Sequence, residues 1–295
     1  MTLERVVRPA GPFSLAHSAK HASDATRYVR DGTLTTALRV GERVEVGSAH
    51  QLVDGRVVLR AESEEGIERL RFIVPVDADH SEFLRRFARD PLIGAATVQF
   101  QGVRQLRLST VAQTLLRAFC GQLIESRRAR ELEVRIVRAV SPRIEGTTFH
   151  APPTSSSFAR LAPARLRQLG LHARRAAALV RVCRTFDLER LHGMATEQAA
   201  AFIERERGLG PWSAGVVCLE GLGRYERGLV GDLSLIKLMS RLRGRWVEGY
   251  ETAELLEPYG EWAGLAGLYL VKAFAYGLIP LPAERPVRFP RPVYA

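Results

Sequence analysis

The hydrophobic pattern changes period partway along the chain. Leu70, Phe72, Val74 and Val76 alternate with Arg71, Ile73 and Pro75, a period of two that predicts a strand. Residues 33–40 and 43–46 are further strand candidates. Between them and the alternating run, Val53-Asp54-Gly55-Arg56 predicts a hairpin, because Asp-Gly accepts the positive φ angles of a type I′ turn. A helix is expected over 79–89, and 95–108 is placed as a strand returning to the same sheet. From Val111 onward apolar residues recur three and four apart. That spacing predicts helices over 111–124, 127–140, 163–169, 174–186, 197–207, 212–222, 233–242, 253–257 and 261–276. Strands first and helices afterwards predict an α+β fold with a segregated sheet. The expected division is a sheet domain over 1–108 carrying the helix at 79–89, a helical domain over 109–284, and a tail over 285–295. Pro286, Pro290 and Pro292 mark that tail as extended or disordered. Ala151-Pro-Pro-Thr-Ser-Ser-Ser157 has the composition of a linker, and no internal repeat is visible.

Composition narrows the class. At 295 residues, 46% hydrophobic and 25% charged, the chain has the make-up of a globular protein with ample core. A net charge of +11 points to a polyanionic partner, but only Lys20, Lys237 and Lys272 are lysines. Such arginine dominance has the look of codon bias, which halves the weight of the charge argument. Cys120, Cys183 and Cys218 are far apart with apolar neighbours, fitting buried free thiols in a reducing compartment rather than a disulfide or metal framework. No metal site is expected, since His17 and His21, four apart, are the only histidine pair near ligand spacing. Residues 1–12 lack the apolar run of a secretory signal, so a cytoplasmic place is expected. The most hydrophobic stretch, 262–281, is broken by Lys272, Gly277 and Pro280 and is expected to be a buried helix rather than a membrane span.

The chemistry concentrates between Gly208 and Asp232. Gly208 and Gly210 permit positive φ and leave backbone N–H groups uncovered. Pro211 suits the first position of a new helix, where its missing N–H costs nothing. Thr196 is the expected cap of the preceding helix. Two helices joined by a glycine-framed turn present amides outward, a ready anion site. On a basic protein the expected anion is a nucleic-acid phosphate. Asp232 follows at the head of the next helix, where it can be a plain N-cap or a catalytic carboxylate, and both roles can hold at once.

Gly208-Leu209-Gly210-Pro211-Trp212-Ser213-Ala214 followed by Asp232 resembles the helix-hairpin-helix DNA glycosylase superfamily, in its 3-methyladenine DNA glycosylase II (AlkA-like) branch. Phe119-Cys120-Gly121-Gln122-Leu123-Ile124, the pair Leu169-Gly170-Leu171 and Arg174-Arg175-Ala176, and Asp90-Pro91-Leu92-Ile93-Gly94 are similar to further segments of that branch, in the same order. The resemblance covers nearly the whole chain, strongly over 80–277. It implies a small mixed sheet domain, like half of a TATA-binding-protein fold, beside an all-α core, with 151–157 as a surface loop inside that core. It also implies an expected monomer acting on double-stranded DNA with a damaged base, near the nucleoid, with no required cofactor.

The same resemblance assigns roles. Asp232 is the catalytic carboxylate, stabilising positive charge that builds on the deoxyribose as the N-glycosidic bond breaks. Trp212 stands where glycosylase-lyases carry a nucleophilic lysine, so hydrolysis without a lyase step is implied. Trp212, Val216, Val271 and Phe13 are assigned to the base pocket, with Val216 and Val271 replacing aromatics usual in the branch. Tyr269 and Tyr276 are candidate substitutes for the missing rings. Leu123 matches the wedge that fills the gap left by a flipped nucleotide, with Gln122 as a contact to the opposite strand. Gly208, Gly210 and Ser213 are assigned to a backbone phosphate, and the hairpin carbonyls to an optional monovalent ion. Two other readings stay open: a DNA-damage binder without efficient excision, and a glycosylase retuned to deaminated bases.

Overall fold

Five strands form one sheet in the order β1-β5-β4-β3-β2: β1 (Leu3–Val7), β2 (Arg27–Arg30), β3 (Thr33–Val40), β4 (Arg43–Gln51) and β5 (Val57–Ala61). The computed structural model describes residues 2–122 and 125–282. All four strand pairings are antiparallel, which corrects the expected mixed sheet. The reason is connection length: β2 to β5 follow one another through tight turns, whereas a parallel pair needs a long crossover. Asp31 (φ 48°) and Gly32 (φ 71°) make the sharp β2–β3 turn. At 53–56 a turn forms where expected, but Gly55 is its only left-handed residue, so it is wider than a type I′ turn. Leu52 N–H closes it on the Arg56 carbonyl at 2.8 Å.

The strand expected over 70–76 is instead the end of helix α2 (Glu64–Ile73). Ile67, Leu70 and Ile73, three apart, are all buried, and Leu70 and Val74 are four apart, so the alternation hid a helical face. Ser63 caps this helix by accepting from Gly66 N–H at 3.0 Å. It lies across the sheet, and Leu34, Leu38, Leu59, Ile67 and Leu70 share one apolar cluster. The return strand expected at 95–108 is also absent. Helix α3 (Ser81–Arg86) is shorter than its expected span, and α4 (Gly94–Gln99) replaces the strand.

The remaining helices follow the expected pattern: α5 (Val111–Gly121), α6 (Ser126–Val140), α8 (Pro163–Gln168), α9 (Ala173–Thr185), α10 (Thr196–Glu204), α11 (Pro211–Val216), α12 (Leu233–Arg243), α13 (Thr252–Leu256) and α14 (Ala263–Ala275). Two short helices were not foreseen, α1 (Leu15–Ala19) and α7 (Ser155–Ala159). Beyond α11 the chain continues as a π-helical turn over Val217–Leu222. The cap of α10 is Ala195, one residue before the expected Thr196. The stretch at 151–157 is no surface loop. Ala151, Pro152 and Pro153 are buried, and the Pro152 and Pro153 carbonyls accept from Arg39 and Thr110. This pins the strands to the helical core.

Apolar side chains gather in two helical clusters besides that of the sheet. One joins α5, α6, α9, α10 and α11. The other joins α12 and α14 with Phe83, Phe87, Ile93, Ala96 and Phe100, so the segment after the sheet packs with the last helices. The two clusters meet where α11 faces the head of α12. No helix among the described residues is long and apolar enough to cross a membrane.

Candidate active site

A cleft of about 630 Å³ opens at that meeting line. The hairpin forms one wall. Gly208 has φ +94°, which an L side chain rarely adopts, and it turns the chain out of α10. Gly210 does not use the positive φ open to it: it is extended at φ −128° and caps α11. Pro211 occupies the first turn as expected, and the open space around Gly208 and Gly210 leaves the turn accessible.

Asp232 faces Trp212 across the cleft. Its Oδ1 accepts from Ser234 N–H at 2.8 Å, the N-cap bond of α12, and its Oδ2 accepts from Trp212 Nε1–H at 3.2 Å. The cap and the indole therefore fix both oxygens of one carboxylate lining the cleft. Gly231, left-handed at φ +89°, makes the bend into Asp232, and its N–H donates to Thr252 Oγ1 at 2.8 Å. Trp212 is held from behind by Gly121, where an added Cβ would lie 2.7 Å from Trp212 Cη2. That contact explains the glycine of the Gly-Gln-Leu segment.

Val216 is buried and lines the cleft one turn after Trp212. Gln122 also lines it, but its amide donates to the Gly208 carbonyl (2.7 Å) and Ser213 Oγ (3.1 Å). The side chain expected to reach the opposite strand thus braces the hairpin, and it occupies one carbonyl considered for an ion. Ser213 is only 1% exposed, so its hydroxyl is not presented to a phosphate. Leu123 lies outside the described residues, as does the tail at 285–295.

Two pocket assignments and both candidate replacement rings are absent from the described lining of the cleft. Val271 packs beside the second helical cluster on α14 and is not among the lining residues. Phe13 sits under the Arg104 guanidinium, 5.2 Å from the ring centre, against the sheet cluster. Tyr269 is fully buried with its hydroxyl donating to the Phe100 carbonyl at 2.8 Å. Tyr276 is exposed and bonded to Lys20 Nζ at 3.0 Å. Position along the chain does not fix which face of α14 meets the cleft or where Phe13 packs; burial against the second helical cluster and the sheet cluster decides both. Among the described lining residues Trp212 is the one aromatic.

The floor carries groups that sequence reasoning missed. Arg117 bridges Asp24 (3.0 Å), Glu133 (2.9 Å) and Glu220 (2.7 Å), and Asp24 also pairs with Arg27 at 3.1 Å. Burial pushes the Asp24 carboxyl up, but the attraction of Arg27 and Arg117 and hydrogen bonds from Thr26 outweigh it, leaving it below its ordinary value. Arg175, Arg130 and Lys237 line the cleft as well. A signal existed for Glu220: Trp212, Val216 and Glu220 are spaced by four, one stripe of a helix.

All three cysteines are buried and free, as expected. Burial pushes Cys183 and Cys218 up to about 12 and raises Cys120 well above its ordinary value, so none is a ready nucleophile. No group of three or more potential metal ligands occurs among the described residues.

A DNA-3-methyladenine glycosylase of Bacillus subtilis (strain 168) is 24% identical over 276 residues, covering 87% of this chain and 91% of that protein. Among solved structures, the 3-methyladenine DNA-glycosylase from Archaeoglobus fulgidus matches with a TM-score of 0.81 at 20% identity, covering 92% of this chain and 98% of its own. The 8-oxoguanine glycosylase/lyase of Clostridium acetobutylicum, in complex with double-stranded DNA containing cytosine opposite 8-oxoguanine, matches with a TM-score of 0.76 at 19% identity, covering 95% of this chain and 99% of its own. No family model matches the chain.

Proposed function

We propose that this chain is a helix-hairpin-helix DNA glycosylase that excises alkylated bases of the 3-methyladenine type from double-stranded DNA by hydrolysis, a reading its fold and its relatives support. The observation that carries the reading is the carboxylate of Asp232, oriented by Ser234 N–H and Trp212 Nε1–H in a cleft beside the hairpin. A base within a duplex cannot reach such a cleft, so the nucleotide must rotate out of the stack. As the bond from C1′ to the base nitrogen breaks, its electron pair leaves with the base and positive charge grows on the sugar. A fixed anion lowers the energy of that state, and water then adds to C1′, releasing a proton. A base already cationic through alkylation leaves as a neutral molecule, which suits a cleft with one catalytic carboxylate and no assigned partner acid.

The hairpin amides at Gly208 and Gly210 grip a backbone phosphate in this reading, supported by their open surroundings. Release of the base leaves an abasic site without strand cleavage, since Trp212 holds the place of the lyase amine. The sheet's kinship with half of a TATA-binding-protein fold is supported by five antiparallel strands crossed by α2. No cofactor is required by any of these steps, and the enzyme acts as a monomer on the DNA of the nucleoid.

The test is single-turnover excision on duplexes carrying one lesion each. Asp232→Asn should slow excision by roughly two orders of magnitude or more, the scale for losing a preorganised electrostatic group, while lesion DNA still binds. Near-normal excision by that variant would remove Asp232 from the mechanism. Excision of neutral deaminated bases alone by the unaltered protein would favour the retuned reading.

A further inference from the structure

We propose that the cleft recognises the positive charge of an alkylated base with the carboxylate of Glu220 rather than with a stack of aromatic rings. The inference rests on the glycosylase reading above and concerns selectivity within that site.

Trp212, Val216 and Glu220 form one stripe along the hairpin's second helix, and all three line the cleft that holds Asp232. The third residue of the stripe falls in the π-helical turn over Val217–Leu222. Such turns are rare, cost good hydrogen-bond geometry, and frequently re-aim side chains at functional sites. Here the turn carries a carboxylate into the lining. Arg117 Nη1 donates to Glu220 Oε2 at 2.7 Å, and among the described residues no donor reaches Oε1. One acceptor oxygen is therefore left over, on a side chain 18% exposed.

The charges around it are sorted by depth. At the floor, Asp24, Glu133 and Glu220 face Arg27 and Arg117, a formal excess of one negative charge. Glu133 and Asp24 are almost fully buried, so solvent screens this excess poorly. Half-buried Arg130 and Arg175 and exposed Lys237 line the same cleft, and no carboxylate among the described residues pairs with any of the three. Basic groups outside suit phosphates, and an acidic floor suits a cationic base whose exocyclic N–H groups can donate to Oε1. With Trp212 as the one aromatic among the described lining residues, cation–π attraction has a single face to act through.

This placement has a kinetic consequence. The positive charge of the base disappears as the glycosidic bond breaks, so an anion near the base stabilises the bound substrate more than the transition state. An interaction of that kind strengthens capture without speeding chemistry. Glu220 is thus a recognition group, distinct in its signature from Asp232.

The experiment pairs two uncleavable duplexes, one with cationic 2′-fluoro-7-methylguanosine and one with its neutral 7-deaza-7-methyl counterpart. The unaltered protein should bind the cationic duplex about tenfold more tightly, the scale of one weakly screened charge contact. Glu220→Gln, which keeps an acceptor for Arg117, should erase that preference and leave affinity for the neutral duplex unchanged. Its saturating single-turnover rate on cleavable 7-methylguanine should not fall. Equal weakening on both duplexes, or a lowered saturating rate with the preference intact, would overturn the proposal. Because Glu220→Gln can perturb the network, the preference of the unaltered protein is a separate criterion: equal binding of the two duplexes overturns the inference by itself. Failure of the unaltered protein to excise any alkylated base would instead overturn the glycosylase reading.

Discussion

One indole does two things at the residue scale. Trp212 lines the cleft, in the proposed reading at the place of the lyase amine, and it spends its N–H on Asp232 Oδ2. An indole nitrogen is a donor only, so it can orient a carboxylate but cannot attack a sugar. Lys237 does line the same cleft, on the exposed side of α12, which makes the absence of a lyase step worth testing directly. Borohydride added during turnover should trap no covalent adduct between protein and DNA. A trapped species that vanishes in Lys237→Ala would assign lyase chemistry to that lysine and reverse this part of the reading. Asp232 combines a structural bond with the place proposed for catalysis: its Oδ1 caps α12 while both oxygens are held at the cleft.

In the proposed function the hairpin is the element on which DNA binding turns. Gly208 and Gly210 look alike in sequence, yet only Gly208 uses the left-handed backbone, and Gly210 is extended with empty space where a β-carbon would stand. Substitution at Gly210 therefore tests charge rather than strain. Gly210→Asp should weaken binding to damaged and undamaged duplex alike, since a phosphate contact positions the protein without reading a base. Fluorescence anisotropy on the two duplexes measures this, and a loss confined to one lesion would move Gly210 into base recognition. Further along the same element, Gly215 allows close approach to the following loop. A β-carbon there would lie 2.4 Å from the Gly228 carbonyl oxygen. The wall of the cleft is thus set by contacts between elements as much as by helix propensity.

At the scale of the molecule, a buried clamp joins the sheet to the second helical cluster. Arg104 donates to the Ala10, Pro12, Pro75 and Val76 carbonyls, and its Nε–H donates to His80 Nδ1 at 3.2 Å. His80 Nε2 meets the Gln101 carbonyl at 2.9 Å, so the neutral ring satisfies both neighbours and a proton on Nδ1 would oppose Arg104. Burial, with the nearby Arg104 charge, pushes His80 down to about 4 from an ordinary 6.5. Between those two values the unfolded chain binds the proton more readily than the folded one. This stabilisation is complete above pH 6.5 and is lost as pH falls toward about 4. His80→Gln, whose amide can accept from Arg104 and donate to Gln101, should flatten the fall in urea midpoint across that window. An unchanged slope would remove His80 as its source.

Local chemistry made much of this protein legible before its structure. The apolar spacing from Val111 onward, the Gly-Pro signal at 210–211 and the aspartate cap at 232 depend on residues within a few positions of one another, so the helices, the hairpin and the head of α12 followed from the chain. Strand 33–40 followed for the same reason. Periodicity failed where two periods coincided: Leu70 and Val74 satisfy both two and four, and only packing of Ile67, Leu70 and Ile73 onto the sheet selected the helix. One wall of the cleft was legible, but the ion-pair network at its floor was not. Glu133, Glu220 and Asp24 meet Arg117 from three distant segments, while Val271 and Phe13, placed in the pocket by the family resemblance, pack elsewhere. A helix determines which residues share its face, but which faces oppose one another depends on loop geometry and on burial summed over the whole chain, and only the tertiary structure carries that sum.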